Sequence, residues 1–324
     1  MTAATRPELS VVLATPDGFA TIRRTVGELA RQAAAGRLEL VIVAPSSGSL
    51  GADDALFAAF ARVEIVEVGA VVSIGGANAA GVARASAPVV ALAEDHAFPL
   101  AGWADALIAA HRGPWAAVGP AVTNANPSTA VSRADLIIGY GPWLAPADAG
   151  ERDYLPGHNT SYKRDELLAY GERLPAMLDA ETLLHWDLRA RGRRLWLEPR
   201  AVIAHANFSL WRSWLPAQYH YGRLFAGLRA RAMSPARRVV YALGAPLIPP
   251  LRLARLWRAQ RSTASRRALL GCLHALVAGL ALDGLGQMAG YALGAGGAVD
   301  RVSRFEFRRY RHVRPDERRA LWPA

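Results

Sequence analysis

The sequence predicts an α/β fold: a mostly parallel sheet flanked by helices, followed by an α-helical region associated with a membrane. Three observations carry this expectation. Short runs rich in valine, leucine and isoleucine alternate with stretches of helical period through residues 9–119. Several of these runs are apolar at every position, as strands covered on both faces are. The excess positive charge sits in the last third of the chain, beside long apolar stretches.

The elements follow in order. Leu9–Ala14 (LSVVLA) reads as a buried strand closed by the turn Thr15-Pro16-Asp17-Gly18. Residues 21–35 have helical period, with Ile22, Val26 and Leu29 on one face. Residues 38–43 form a second strand, ending at Ala44-Pro45-Ser46-Ser47-Gly48. A helix is expected over 54–61, a third strand over 63–68, and a helix over 78–85 after a Gly75-Gly76 turn. Val89–Ala93 is a fourth strand, ending at Glu94-Asp95-His96. A helix over 100–111 and a strand over 115–119 continue the alternation. Strand–helix–strand repeats imply right-handed crossovers and a parallel sheet. Ligands bind such sheets at the carboxyl ends of the strands, which directs attention to the loops 15–18, 44–48 and 94–96.

A length of 324 residues leaves room for one large domain or two modest ones, and the composition shift places them at 1–210 and 211–324. Hydrophobic residues make up 52% and charged residues 20%, with a mean hydropathy of +0.11, which excludes disorder as the main state. The single cysteine, Cys272, excludes an internal disulfide framework and a multi-cysteine zinc site. The net charge is +11, and residues 206–324 hold 20 of the 38 basic residues but 5 of the 27 acidic ones. A nucleic-acid reader mixes basic and reading side chains on one compact module. Here the arginines flank apolar runs, so the expected partner is a membrane and not a nucleic acid. No GxxxxGK[ST] loop occurs, and no GxGxxG follows the first strand. The first residues lack a charged-then-apolar region, so secretion is not expected, and the arginines at both ends of the last apolar stretch point to the cytoplasmic face.

Four segments carry candidate chemistry. Glu94-Asp95-His96 follows a buried strand and precedes Pro99 and Gly102-Trp103. Gly157-His158-Asn159 precedes Lys163-Arg164. Asp179-Ala180-Glu181 opens a helix that ends near Gly192, and Pro199-Arg200-Ala201 leads to His205. In this order they resemble the family 2 glycosyltransferases of GT-A fold, over about residues 8–210. That family's Asp-x-Asp motif matches Glu94-x-His96. Its Gly-x-Asn segment matches Gly157-x-Asn159, its acidic catalytic pair Ala180-Glu181, and its Pro-x-Ala segment Pro199-x-Ala201 with His205.

The resemblance implies transfer of a sugar from a nucleotide-sugar donor, with inversion, helped by a divalent cation, Mn²⁺ or Mg²⁺. A departing diphosphate needs its charge neutralised, and Mn²⁺ accepts imidazole as well as oxygen donors. The implied metal ligands are His96, Glu94 and His205, with Glu94 or Asp95 alternatively contacting the ribose and His205 the diphosphate. The implied base that takes the acceptor proton is Glu181, with Asp179 in reserve. Thr15, Asp17, Asn78, Glu94, Asp95, Gly157, Asn159, Lys163 and Arg164 are the implied donor contacts. His158 and His185 are expected to be structural or surface residues. The second loop departs from the family, which carries an acid there; Asp17, Asp53 or Asp54 would have to replace it. That departure keeps open an inactive, glycosyltransferase-like membrane scaffold or glycan binder. A nucleotidyltransferase ranks lower, because Ala14–Gly18 lacks a basic, glycine-rich triphosphate loop.

In the last third, residues 211–231 mix aromatics and arginines as a headgroup-level amphipathic helix does, and equally as a helix that caps the catalytic domain does. Residues 239–251 are apolar but broken by prolines and too short to span. Residues 268–299 are long enough to span, with arginines at both ends. A re-entrant hairpin breaking near Gly284, or a helical pair lying in the interface, is therefore expected, with Gly286, Gly290 and Gly294 suited to close helix packing. The alternative is a buried helical hairpin. The implied acceptor is a membrane-linked saccharide or a lipid.

Overall fold

The computed structural model describes residues 6–51, 54–259 and 263–323. Asp53 and the side chain of Asp54 lie outside the described residues. The principal elements are β1 (Leu9–Ala14), α1 (Arg23–Ala30), β2 (Leu38–Ala44), β3 (Arg62–Glu67), α2 (Ile74–Arg84), β4 (Val89–Ala93), β5 (Ala97–Pro99), α3 (Trp103–Ala110), β6 (Ala117–Asn124) and α4 (Ala130–Tyr140). They continue with β7 (Gly150–Glu151), β8 (Ser161–Lys163), α5 (Glu181–Ala190), β9 (Leu195–His205), α6 (Trp211–Ala230), α7 (Pro235–Gly244), α8 (Ile248–Ala259), α9 (Leu273–Leu293) and α10 (Ala298–Glu306). The chain divides into two compact units: 1–123 with 143–205 and 321–324, and 124–142 with 206–320.

The first unit holds a nine-stranded sheet in the order β3-β2-β1-β4-β8-β6-β9-β5, with β7 beside β9. β3, β2, β1 and β4 are parallel neighbours, as the alternation predicts. Every residue of β1 and β2 is buried, which explains runs without polar alternation. The remaining strands add antiparallel pairs: β8 on β4 and β6, and β5 and β7 on β9. β5, β7, β8 and β9 are not expected from the sequence, because three of them are two or three residues long and β9 contains Pro199.

The Gly75-Gly76 pair is not a turn. It lies in the first turn of α2, whose N-cap Ser73 accepts a hydrogen bond from the Gly76 N–H at 3.0 Å. Glycine is needed there because a methyl group on Gly75 would lie 2.7 Å from the Asp179 backbone nitrogen. On the inner side of α2, a side chain on Gly81 would collide with Val12 of β1.

The second unit is helical, and its core corrects two expectations. α6 is not a headgroup-level helix: Trp214, Ala217, Gln218, Gly222 and Leu224 are buried in it. Asp135 of α4 anchors it, accepting from Trp214 Nε1 at 2.8 Å, Gln218 Nε2 at 3.1 Å and the Phe208 N–H at 3.0 Å. α9 does not break at Gly284 but runs unbroken from Leu273 to Leu293 against α6. Its glycines allow backbone contact: a methyl on Gly290 would lie 2.6 Å from the Arg223 carbonyl oxygen, and one on Gly286 would overlap the Tyr219 carbonyl. Gly294 instead ends the helix with φ +80°. Asp283 is not exposed to lipid; it pairs with Arg252 at 2.8 Å and accepts from Gln287 at 2.9 Å. Among the described residues, two segments, Pro235–Arg258 and Leu273–Leu293, are long and apolar enough to cross a membrane, the first extending well beyond the 239–251 run expected to be too short.

Candidate active site

The site forms where the parallel strands end. β1 and β4 are in register through Leu13 and Ala93, so the residues that follow them, Thr15 and Glu94, emerge at the same edge. β5 turns back and pairs with β9, setting Ala97 opposite His205. This register brings His205 beside His96. Their rings meet edge to face, with centroids 4.9 Å apart at 72°.

Glu94 joins them. His96 Nε2 lies 3.6 Å from Glu94 Oε1, and His205 Nε2 lies 3.6 Å from Glu94 Oε2. One ligand atom from each residue falls within 4.8 Å of the others. Two donors each about 2.1 Å from one ion sit about 3 to 4 Å apart, so the cluster fits a small divalent cation. His96 Nδ1 is hydrogen-bonded to Asp95 Oδ1 at 2.6 Å, which leaves Nε2 facing the cluster. Burial favours the neutral carboxyl of Glu94, but the charge of His96, the hydrogen bond from His205 and the charge of His158 outweigh it. The carboxyl is held down at about 2 and is ionised at any working pH.

The turn Gly157–Asn159 reaches two carboxylates. β8 pairs antiparallel with β4, and the Leu92 N–H donates to the Thr160 carbonyl at 3.1 Å. That places Asn159 next to Glu94, where Nδ2 donates to Oε2 at 2.6 Å. The other carboxylate belongs to Glu181, the first residue of α5 and 6% exposed. A methyl group on Gly157 would lie 3.1 Å from Glu181 Oε2. His158 forms an ion pair with Glu181. Burial pushes the Glu181 carboxyl up, and the positive charge of His158 opposes that shift without cancelling it. The structure therefore sets His158 against the candidate base Glu181, where the sequence leads one to expect a structural or surface residue.

The other candidates are placed as follows. Thr15 Oγ1 accepts from the Asp17 N–H at 3.1 Å, so both shape the turn at the site edge of the sheet. Asn78 is buried in α2. Asp179 Oδ1 accepts from the Gly75 N–H at 2.9 Å, engaging it at the start of α2. Lys163 and Arg164 are not brought to the cluster. Lys163 pairs with Val89, at the far end of β4 from Glu94, and its ammonium donates to the His111 carbonyl at 2.7 Å. Five residues of strand separate the two ends by about 16 Å. Because β8 runs antiparallel, the basic pair that follows Asn159 in sequence points away from the site.

Two further residues reach the site edge. The Ser47 N–H donates to Glu67 Oε1 at 2.7 Å, so β3 brings a carboxylate to the second loop, which has none of its own. Trp322 Nε1 donates to the Asp95 carbonyl at 3.3 Å. His185 is structural: Nδ1 accepts from the Leu155 N–H at 3.3 Å, and Nε2 lies 2.8 Å from Tyr162 Oη.

Among solved structures, the chain is similar to GalNAc-T7 with UDP, GalNAc and Mn²⁺, at 12% identity and a TM-score of 0.48 over 63% of this chain. It spans 43% of that protein's chain. It is also similar to the mannosyltransferase PcManGT from Pyrobaculum calidifontis in complex with GDP-Man and Mn²⁺, at 16% identity and a TM-score of 0.47, covering 91% of this chain and 78% of that one. The third is S. aureus TarS 1-349, at 13% identity and a TM-score of 0.48, covering 93% and 89%. These likenesses are too distant to carry a functional argument. No family model matches the chain, and no curated protein matches it.

Proposed function

We propose that this chain is a metal-dependent, inverting glycosyltransferase of family 2 type, which takes a sugar from a nucleotide-sugar donor. The observation that carries the reading is the pairing of two carboxylates of opposite tuning through one turn. Glu94 is held ionised among two imidazoles, whereas Glu181 is buried and shifted up beside His158. Sites that need one group to bind a cation and another to take a proton separate their acids in this way.

Glu94, His96 and His205 would hold the cation, and two imidazole donors favour Mn²⁺ over Mg²⁺. The bound cation supplies neutralising charge for the diphosphate leaving group. Asn159 fixes the Glu94 carboxylate and Asp95 fixes the His96 ring. Glu181 takes the proton from the attacking hydroxyl of the acceptor, and its raised pKa brings its basicity closer to working pH. His158 orients the Glu181 carboxylate. Thr15 and Asp17 shape the donor edge. Glu67 adds the carboxylate that the second loop lacks.

The acceptor is a membrane-linked saccharide or a lipid, presented at the cytoplasmic face. The exposed apolar stretch 239–251 in the second unit supports this part of the reading. A thermal-shift panel of UDP-, GDP-, dTDP- and CDP-linked sugars tests the donor site, each sugar with Mn²⁺, Mg²⁺ or EDTA. A metal-dependent stabilisation by one nucleotide is expected, about 2.7 kcal/mol when the donor is at a hundred times its Kd. Absence of any shift in folded protein would contradict the reading.

A further inference from the structure

The second unit carries a cavity that the proposed chemistry does not use. It measures about 370 Å³ and is lined by Arg229, Val240, Tyr241, Gly244, Ile248, Gln287 and Tyr291. That volume suits a small ligand or a headgroup. The lining is built rather than incidental. Arg229 Nη1 donates to Tyr291 Oη at 3.0 Å, and its guanidinium lies 4.8 Å from the Tyr241 ring centroid. Arg237 lies against the same ring at 5.7 Å. Arg238 donates to the Tyr291 and Ala292 carbonyls at 3.0 Å each, tying α7 to the end of α9.

The charge around the cavity has one sign. Between Trp211 and Leu293 the sequence has twelve arginines and a single acid, Asp283. That acid is already paired with Arg252. The one carboxylate of α6, α7, α8 and α9 thus lies behind Gln287, to which it is hydrogen-bonded at 2.9 Å, with its charge balanced by Arg252.

The surface beside the cavity is apolar. Val239, Leu243, Leu247 and Leu251 follow at intervals of four residues, and each is more than half exposed. Val240, which lines the cavity, is 66% exposed. Only 6% of the apolar window in Pro235–Arg258 is buried, against 44% in Leu273–Leu293. Arg237 and Arg238 flank the stripe on one side, and Arg252, Arg255 and Arg258 on the other. An apolar stripe between arginine clusters lies in the interface of an anionic bilayer.

We propose that the cavity binds the phosphate of an anionic phospholipid, while the Val239–Leu251 stripe lies among the acyl chains of the bilayer. The second unit is then a membrane dock that reads a headgroup. This inference rests on the membrane association proposed above and not on catalysis.

Flotation of the purified full chain with vesicles tests it. Phosphatidylcholine vesicles are compared with vesicles that also contain phosphatidylglycerol. Wild type is expected to float with the anionic vesicles in preference to the neutral ones. Arg229→Gln is expected to weaken anionic-vesicle binding about fivefold, and so is Arg237→Gln, at an exposed position where folding is not at stake. The double variant Leu243→Ser with Leu247→Ser is expected to lose binding to both. Unchanged headgroup preference in both arginine variants would overturn the inference. So would stabilisation by inorganic phosphate without any preference between vesicles. Wild type floating equally with both vesicles would overturn the headgroup site and leave the membrane reading standing. Wild type floating with neither would overturn both.

Discussion

Asn159 donates through Nδ2 to the Glu94 carboxylate at 2.6 Å. The bond fixes Glu94, which the charges of His96, His205 and His158 keep ionised against the cost of burial, and both its oxygens also face histidine nitrogens. Hydrogen bonds behind a metal ligand orient it, and their loss costs roughly 10- to 100-fold in metal affinity. Asn159→Ala should weaken Mn²⁺ binding by that factor while the fold persists. Isothermal titration with Mn²⁺ checks it, and unchanged affinity would remove Asn159 from the cluster.

As the proposed base, Glu181 predicts a pH profile. Its folded pKa is raised above the ordinary carboxyl value of about 4.3, and the base must be deprotonated to act. The rate should therefore fall as pH drops through that raised value. His158 holds the carboxyl down, so His158→Gln should move the acid limb of kcat/KM to higher pH. A limb that stays in place, or moves to lower pH, would separate His158 from the base.

Asp135 predicts stability. It is buried and receives Trp214, Gln218, the Phe208 N–H and the Arg309 guanidinium at 3.4 Å. Asp135→Ala leaves Trp214, Gln218 and the Phe208 N–H without their acceptor and takes one of two carboxylates from Arg309, which keeps Glu306, a loss of about 3–5 kcal/mol. Urea unfolding measures it; a cost under about 1 kcal/mol would show that the network relaxes.

Two buried histidines predict how stability depends on pH. His111 is held down at about 3 by burial and then by the Lys163 charge, and His185 at about 3 by burial alone. The unfolded value is about 6.5. Below that pH the unfolded chain takes up protons that the folded chain refuses, so stability falls as pH drops from about 6.5 towards the folded values. His111→Gln and His185→Gln should each flatten that decline in denaturant titrations. Slopes equal to wild type would contradict the assignment.

The sequence made some of this legible. β1 and β4 are read to the residue, because an all-apolar run bounded by a turn has one physical reading in an alternating chain. Glu94, His96, Asn159 and His205 are all named from the sequence; β5–β9 pairing explains why the two histidines meet, and β8–β4 pairing why Asn159 joins Glu94. What fails depends on direction and partners. Lys163 and Arg164 follow Asn159 closely, but an antiparallel strand carries them to the opposite end of β4. His158 has no local signature, since its role comes from the position of Glu181. Gly75-Gly76 resembles a turn until Asp179 is seen against it. The aromatic and arginine pattern of α6 fits lipid and core alike, and the close approach of α9 decides for the core.

The most direct test of the central claim is release of nucleoside diphosphate from nucleotide-sugar donors by purified protein with Mn²⁺ and a membrane-lipid extract as acceptor source. Release from one donor is predicted, abolished by EDTA and reduced at least about a hundredfold in Glu181→Gln, while donor binding survives. Equal release by wild type and Glu181→Gln, or no release from any donor by folded, Mn²⁺-loaded protein, would contradict it.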